Sequence, residues 1–183
     1  MEQFQYLMRL CSLFMQYPDQ DWVGNREVNE ILDFLDDGDT KKLLLTFNGY
    51  LSEHPIHELC GRYVQTFDFN EKTTLYLTYF QYQDHKERGL ALLQLKELYQ
   101  KTGLMMNSTE LPDYLPLVLE FLAIAPSEIG AELISSQQEN IEKLWKEIVV
   151  MESPYRFVLE AIISSTQSMI QTDHMENIGG SLS

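Results

Sequence analysis

The sequence predicts an all-α fold, a single bundle of about nine to ten helices. Three observations predict it. Apolar residues recur at the helical period along almost the whole chain. Proline, glycine and capping residues punctuate that pattern at helix-length intervals. No stretch shows the sustained two-residue alternation of a half-buried strand.

The elements follow in order. Phe4 to Tyr17 carries Leu7, Leu10, Cys11 and Phe14 on one face and stops at Pro18. Val28, Ile31, Leu32 and Leu35 fall at i, i+3, i+4, i+7, before Asp37-Gly38-Asp39 breaks the chain. Leu43, Leu44, Phe47, Tyr50 and Leu51 make another stripe. His54-Pro55 opens a fourth helix, whose face Ile56, Leu59, Cys60, Tyr63, Val64, Phe67 keeps the period through three turns. Asp68 and Asn70 are expected caps for a fifth helix holding Leu75, Tyr76, Tyr79 and Phe80. The segment TTLYLTYFQY, residues 73–82, is rich in β-branched and aromatic side chains. It is read as helix because helices flank it and a lone strand has no partner. Asp84 is the expected cap of a sixth helix that runs to about Thr102 and ends at Gly103. A short connection, Leu104 to Leu111, leads to the helix around 113–122. Beyond Pro126, one helix is expected from Ser127 to Ser135 and another through Ile141, Leu144, Trp145 and Ile148. Ser153-Pro154 starts a last helix through Phe157, Val158, Ala161 and Ile162. Residues 1–171 form the helical domain, and 172–183, with Gly179-Gly180-Ser181, read as a flexible tail.

Bulk properties narrow the function. A chain of 183 residues buries roughly 70 % of its unfolded surface, so it folds without disulfides or a structural metal. The net charge of −15 argues against nucleic acid, whose binding rests on Lys and Arg neutralising phosphates, and against anionic membranes. A basic or mixed apolar–basic peptide suits such a surface. The N-terminus MEQFQYLMRL lacks the basic start and cleavage site of a signal peptide, and no uninterrupted apolar run is long enough to span a bilayer. With two cysteines, Cys11 and Cys60, outside any Cys-x-x-Cys pair, the expectation is a cytoplasmic protein with free thiols and no membrane insertion.

The stretch ELPDYLPLVLEFL, residues 110–122, is unusual: two prolines and a carboxylate stand in a helical apolar run. Both prolines suit a sharply defined helix start, with Asp113 as N-cap accepting from the N–H of Leu115 and Pro116 in the first turn. Glu120 has Leu117, Val118, Leu119, Phe121 and Leu122 around it. It either points to solvent, meets Arg62 or Arg88, or lines a groove where it receives a donor from a partner.

That stretch resembles the signature of NarJ-type proteins, the delta subunit of respiratory nitrate reductase, molybdenum-cofactor assembly chaperones of the TorD-like redox-enzyme maturation group. Residues 62–89, RYVQTFDFNEKTTLYLTYFQYQDHKERG, add a second block: Tyr63, Val64, Phe67 and Asp68, then Leu75 to Tyr79, then Asp84, Arg88 and Gly89. Leu13 to Pro18 adds a third, so the likeness covers roughly residues 5–165. One departure stands out: Gln83 occupies the place before Asp84 where the pattern has glycine, with His85 where threonine is expected.

The resemblance implies an all-helical fold and no catalytic activity. It implies a partner, the N-terminal tail of the apo nitrate reductase alpha (catalytic) subunit, or the alpha–beta complex. It also implies no stably bound cofactor, the client being what receives molybdopterin guanine dinucleotide and an iron–sulfur cluster. The expected groove wall is the 113–122 helix with the stripes at 63–67 and 75–79. Tyr63, Phe67, Tyr76, Tyr79, Tyr114, Leu117 and Phe121 are the candidate peptide contacts, with Asp68, Asp113 and Glu120 as polar anchors. Helical stripes also simply build cores, and that is the competing reading for each aromatic.

The residues leave three rival classes to compare. His54, His57 and Cys60, with His85 elsewhere, have partial zinc-like spacing but no fourth ligand. No phosphate loop, nucleophile elbow or His-Glu-x-x-His motif supports an enzyme. A general helical peptide-binding or scaffold protein without a redox client is the alternative that composition alone leaves open.

Overall fold

The computed structural model describes residues 2–103 and 109–179. The described residues form nine α-helices and no strand beyond an isolated bridge. They are α1 (Glu2–Phe14), α2 (Arg26–Phe34), α3 (Asp39–Glu53), α4 (Ile56–Tyr63), α5 (Tyr79–Tyr82), α6 (Glu87–Lys101), α7 (Leu115–Leu122), α8 (Ser127–Val150) and α9 (Tyr155–Gly179).

The expected all-α bundle is what the chain forms. Helix α9 packs against α8, α3 and α1, and α1 packs in turn against α7. Aromatic rings fill the centre. Phe14 lies 5.1 Å from Phe47, Phe47 5.0 Å from Tyr155, and Tyr155 4.8 Å from Phe67. Such tilted and edge-on pairs add to the burial of their own area. Helix α7 is the most internal short helix: Leu115, Pro116, Val118, Leu119, Phe121 and Leu122 are all buried. Glu120 and Ile124 keep one side of it wet.

Several boundaries differ from the expectations. The two helices expected on either side of residues 135–141 are one continuous α8, because Gln137 and Asn140 stay buried and the apolar face runs on through Ile141. Helix α9 continues past residue 172, where the tail was expected to begin, and Gly180 to Ser183 lie outside the described residues. Most of the expected Leu104–Leu111 connection, residues 104–108, also lies outside them. Gly103 does adopt the left-handed conformation of a helix C-terminus, with φ +75°. Asp84 does not cap α6, which begins later, at Glu87.

The largest correction concerns residues 64–78. Helix α4 does not hold its period to Phe67. Val64–Asp68 forms a single π-helical turn, closed by the Phe69 N–H on the Val64 carbonyl at 3.2 Å. The wider turn keeps Phe67 inside and swings Asp68 and Phe69 out, Phe69 being 83 % exposed. Asn70 caps only a short 3₁₀ turn, Glu71–Thr73, accepting from the Lys72 N–H. The chain is then extended from Thr74 to Tyr76 and turns at Leu77–Thr78 into the short α5, Tyr79–Tyr82, instead of being helical throughout. A strand partner does exist: the approach to α7. Tyr76 pairs antiparallel with Tyr114, Leu77 N–H donates to the Asp113 carbonyl at 3.0 Å, and Leu115 N–H donates to the Leu75 carbonyl at 2.8 Å. The β-branched and aromatic composition of this segment was the signal that won.

Candidate functional site

Asp113 organises the region where the two sequence blocks meet. The expected bond from Leu115 N–H to its side chain is absent, since that N–H belongs to Leu75, and Tyr114 takes the cap position of α7. Asp113 is instead fully buried. Its Oδ2 accepts from the Thr78 N–H at 3.1 Å, the Thr78 hydroxyl at 2.5 Å and Arg88 Nη2 at 3.3 Å. Arg88 Nε also donates to Thr78 Oγ1 at 3.1 Å. Oδ1 is buried with no hydrogen-bond partner among the described residues. One carboxylate thus fixes the turn at Thr78, the start of α7 and the first turns of α6 together. A buried charge is tolerable in that setting because it is both paired and hydrogen-bonded.

The other expected anchors divide. Glu120 is exposed and meets no arginine. Its Oε1 accepts from Gln16 Nε2 at 3.3 Å and lies 3.5 Å from the Ser12 hydroxyl, across the α1–α7 seam. Arg62 lies over the Tyr50 ring, 5.8 Å from its centre. Of the aromatic candidates, Tyr63 is buried and its hydroxyl donates to the Met15 carbonyl at 3.2 Å, with the Tyr114 hydroxyl 3.4 Å away. Burial pushes the Tyr63 phenol far up, and the Tyr114 hydroxyl adds to the shift. Phe121 is buried against Tyr99, with ring centres 4.4 Å apart, and Leu117 is half-buried. The Tyr114 ring leans on Tyr76 at 5.4 Å, and the Tyr76 hydroxyl donates to Glu110 Oε2 at 2.7 Å.

Phe67, Asp68, Tyr76 and Tyr79, four of the expected residues, come together. With Asn70, Glu71, Thr74 and Arg88 they line an open depression of about 270 Å³. No residue of α7 lines it, so the depression runs along the π turn and the extended segment, one layer outside the expected wall. Beside it the surface is oily. Asn70 Nδ2 reaches Met151 Sδ, just past the end of α8, at 3.5 Å, and Phe69, Val149, Val150 and Met151 are exposed. Sequence reasoning missed Asn70, Glu71 and Thr74, because nothing local announces a π turn. It offered Arg88 as a member of the second block and as a possible partner of Glu120, not as the partner of Asp113, 25 residues on.

Gln83 sits where the backbone asks for glycine. Its φ of 48° and ψ of −129° match the first central position of a type II′ turn, closed by His85 N–H on the Tyr82 carbonyl at 2.9 Å. The turn survives the substitution, under backbone strain.

The would-be metal residues have other employment. His54 Nδ1 lies 2.9 Å from the Tyr50 carbonyl, and Cys60 Sγ donates to the Pro18 carbonyl at 3.2 Å. No group of three or more His, Cys, Asp or Glu side chains poised for a metal occurs among the described residues. No helix among them is long and apolar enough to cross a membrane.

Comparison with known proteins shows what the chain is similar to. The family model of the nitrate reductase delta subunit matches residues 33–150. The chain is 33 % identical over 178 residues to the probable nitrate reductase molybdenum cofactor assembly chaperone NarJ of Bacillus subtilis, covering 90 % of each chain. It is 27 % identical over 168 residues to the nitrate reductase molybdenum cofactor assembly chaperone NarJ of Escherichia coli K12, covering 90 % of this chain and 71 % of that one. The crystal structure of an Archaeoglobus fulgidus protein described as a redox enzyme maturation protein has the same fold, with a TM-score of 0.66 at 23 % identity over 87 % of this chain and 91 % of that one.

Proposed function

The chain belongs to the nitrate reductase delta subunit family, and we propose that it is a dedicated cytoplasmic chaperone for a nitrate reductase. It binds the N-terminal tail of the apo alpha subunit and keeps that subunit competent for molybdopterin guanine dinucleotide and iron–sulfur cluster insertion before membrane assembly. It acts by holding the client, not by catalysis, and retains no cofactor of its own. Residues 1–171 carry this role.

The observation that carries the reading is the depression at Phe67–Tyr79 beside the exposed Phe69 and α8 end. An amphipathic segment needs an oily strip for its apolar face and acceptors for its basic residues, and this face supplies both. Phe69, Val150 and Met151 supply the strip, and Asp68 and Glu71 the acceptors. Phe69, Val150 and Met151 together, rather than any one of them, leave apolar surface for a partner to cover. The overall charge of −15 favours encounter with a basic tail. Tyr63, packed on Phe67, and Asp113, bonded to Thr78 and Arg88, then hold the site from below, while Leu117 and Phe121 belong to α7 away from its lining. Tyr114 stands at its edge, and Glu120 on a neighbouring face.

The test is calorimetric titration with a synthetic peptide of the alpha subunit's N-terminal segment. Binding that weakens at least tenfold in Phe69→Ser and Tyr79→Ala, with circular dichroism unchanged, supports the reading. Binding untouched by both substitutions moves the client elsewhere. An unrelated amphipathic basic peptide that binds as tightly would favour the general peptide-binding scaffold instead.

A further inference from the structure

The depression has a sharper chemistry than an oily groove. We propose that it is a socket for one cationic side chain, the guanidinium or ammonium group of a docked segment. The inference rests on the reading that a client segment docks on this face.

Size is the first argument. At about 270 Å³ the depression lies at the small end for ligand pockets and has room for one side chain. Shape and composition are the second. Phe67, Tyr76 and Tyr79 present aromatic groups, and Asp68 and Glu71 present carboxylates on the same lining. Aromatic faces and carboxylates together are what a cation seeks when it leaves water.

Charge decides the sign. Arg88 also lines the depression and at first sight argues for an anion. Its charge is already committed, however. Nη2 lies on the fully buried Asp113, and its guanidinium carbon stands 5.6 Å from the centre of the Tyr79 ring. That pair is neutral in sum. Asp68 and Glu71 have no such counter-charge: neither forms an ion pair with a described residue. The depression therefore carries two uncompensated negative charges. The Tyr79 phenol is raised first by loss of water, then by the Glu71 and Asp84 carboxylates and its hydrogen bond with Glu71, with Arg88 opposing. Arg88 has a double use here. Held by Asp113, it stacks near Tyr79 and shows how a guanidinium packs on that ring, while a second one enters from the client.

The experiment uses the full chain with ¹³C-labelled tyrosine and phenylalanine rings. The probes are N-acetyl-arginine amide and N-acetyl-citrulline amide, which share shape and differ in charge. Saturable shifts of the Tyr76 and Tyr79 ring signals with the arginine amide, absent with the citrulline amide, are expected. The double variant Asp68→Asn, Glu71→Gln, whose sites are exposed and whose fold is checked by circular dichroism, should bind the arginine amide at least tenfold more weakly. Equal response to both amides, no response to either, or displacement by inorganic phosphate would overturn the socket. The alpha-subunit peptide separates the two claims. If it binds the double variant as tightly as the natural chain, the socket plays no part in docking and the chaperone reading stands. If it fails to bind the natural chain while the arginine amide does bind, the docking reading falls and the cation preference stands.

Discussion

Replacing Asp113 tests the whole arrangement, because one oxygen joins three segments. Asp113→Ala removes the acceptor for the Thr78 N–H, the Thr78 hydroxyl and Arg88 Nη2. Losing one partner of a buried ion pair costs about 3–5 kcal/mol, and an orphaned buried N–H on its own about 1–3 kcal/mol. The Arg88 side chain is 18 % exposed, so water relieves part of its loss. The sum is not additive within one network, and we expect a net destabilisation of about 3–4 kcal/mol. For a chain of this size that lowers Tm by roughly 6–16 °C. Asp113→Asn should cost less, about 2 kcal/mol, since an acceptor oxygen survives while the charge is lost. Urea unfolding followed by circular dichroism measures both. A double-mutant cycle with Arg88→Ala should show the two losses to be strongly non-additive. Asp113→Ala within about 1 kcal/mol of the natural chain, or additive losses in the cycle, would refute the claim that this carboxylate holds the site.

The remaining predictions are independent of that network. Gln83→Gly should stabilise the protein by about 1 kcal/mol, because relief of a positive-φ strain of about 1–3 kcal/mol outweighs the extra freedom glycine has when unfolded; a lower urea midpoint for the variant would contradict this. Native protein should react quickly with Ellman's reagent at Cys60, which is partly accessible, and not at Cys11, which is fully buried with its thiol pushed far up by loss of water. Denaturant should then expose the second thiol. Burial holds the phenols of Tyr63, Tyr99 and Tyr155 well above the ordinary value of 10.0. The unfolded chain therefore releases those protons first as pH rises, so their contribution to stability is intact below about pH 10 and declines above it. Phenolate absorbance of these three should grow together with the loss of circular dichroism, and growth while the helices are still intact would be the contrary result.

The helices were legible in the sequence because a helix is a local object. The stripes at Leu7–Phe14, Val28–Leu35 and Leu43–Leu51 are read within a few turns, and each became the buried face of its helix. Gly103 after α6 is a cap of the same short-range kind. The departure at Gln83 was visible as a residue, although only its φ showed what the missing glycine would have relieved.

The expected helix formed only at Tyr79–Tyr82; residues 73–78 failed as a local reading because their fate depended on a partner about forty residues away in the chain. No periodicity within the segment reveals that Tyr76 will face Tyr114 or that Thr78 will meet Asp113. The same distance hid the role of Asp113, a residue whose local context argued for a cap. The residue types of the site, aromatics and acids in two blocks, were thus set by the amino-acid order. Which of them form the core, which form a floor and which stay open to a visitor was decided by tertiary packing. Periodicity says that a side chain lies on an apolar face, but burial depends on what the rest of the chain lays against that face.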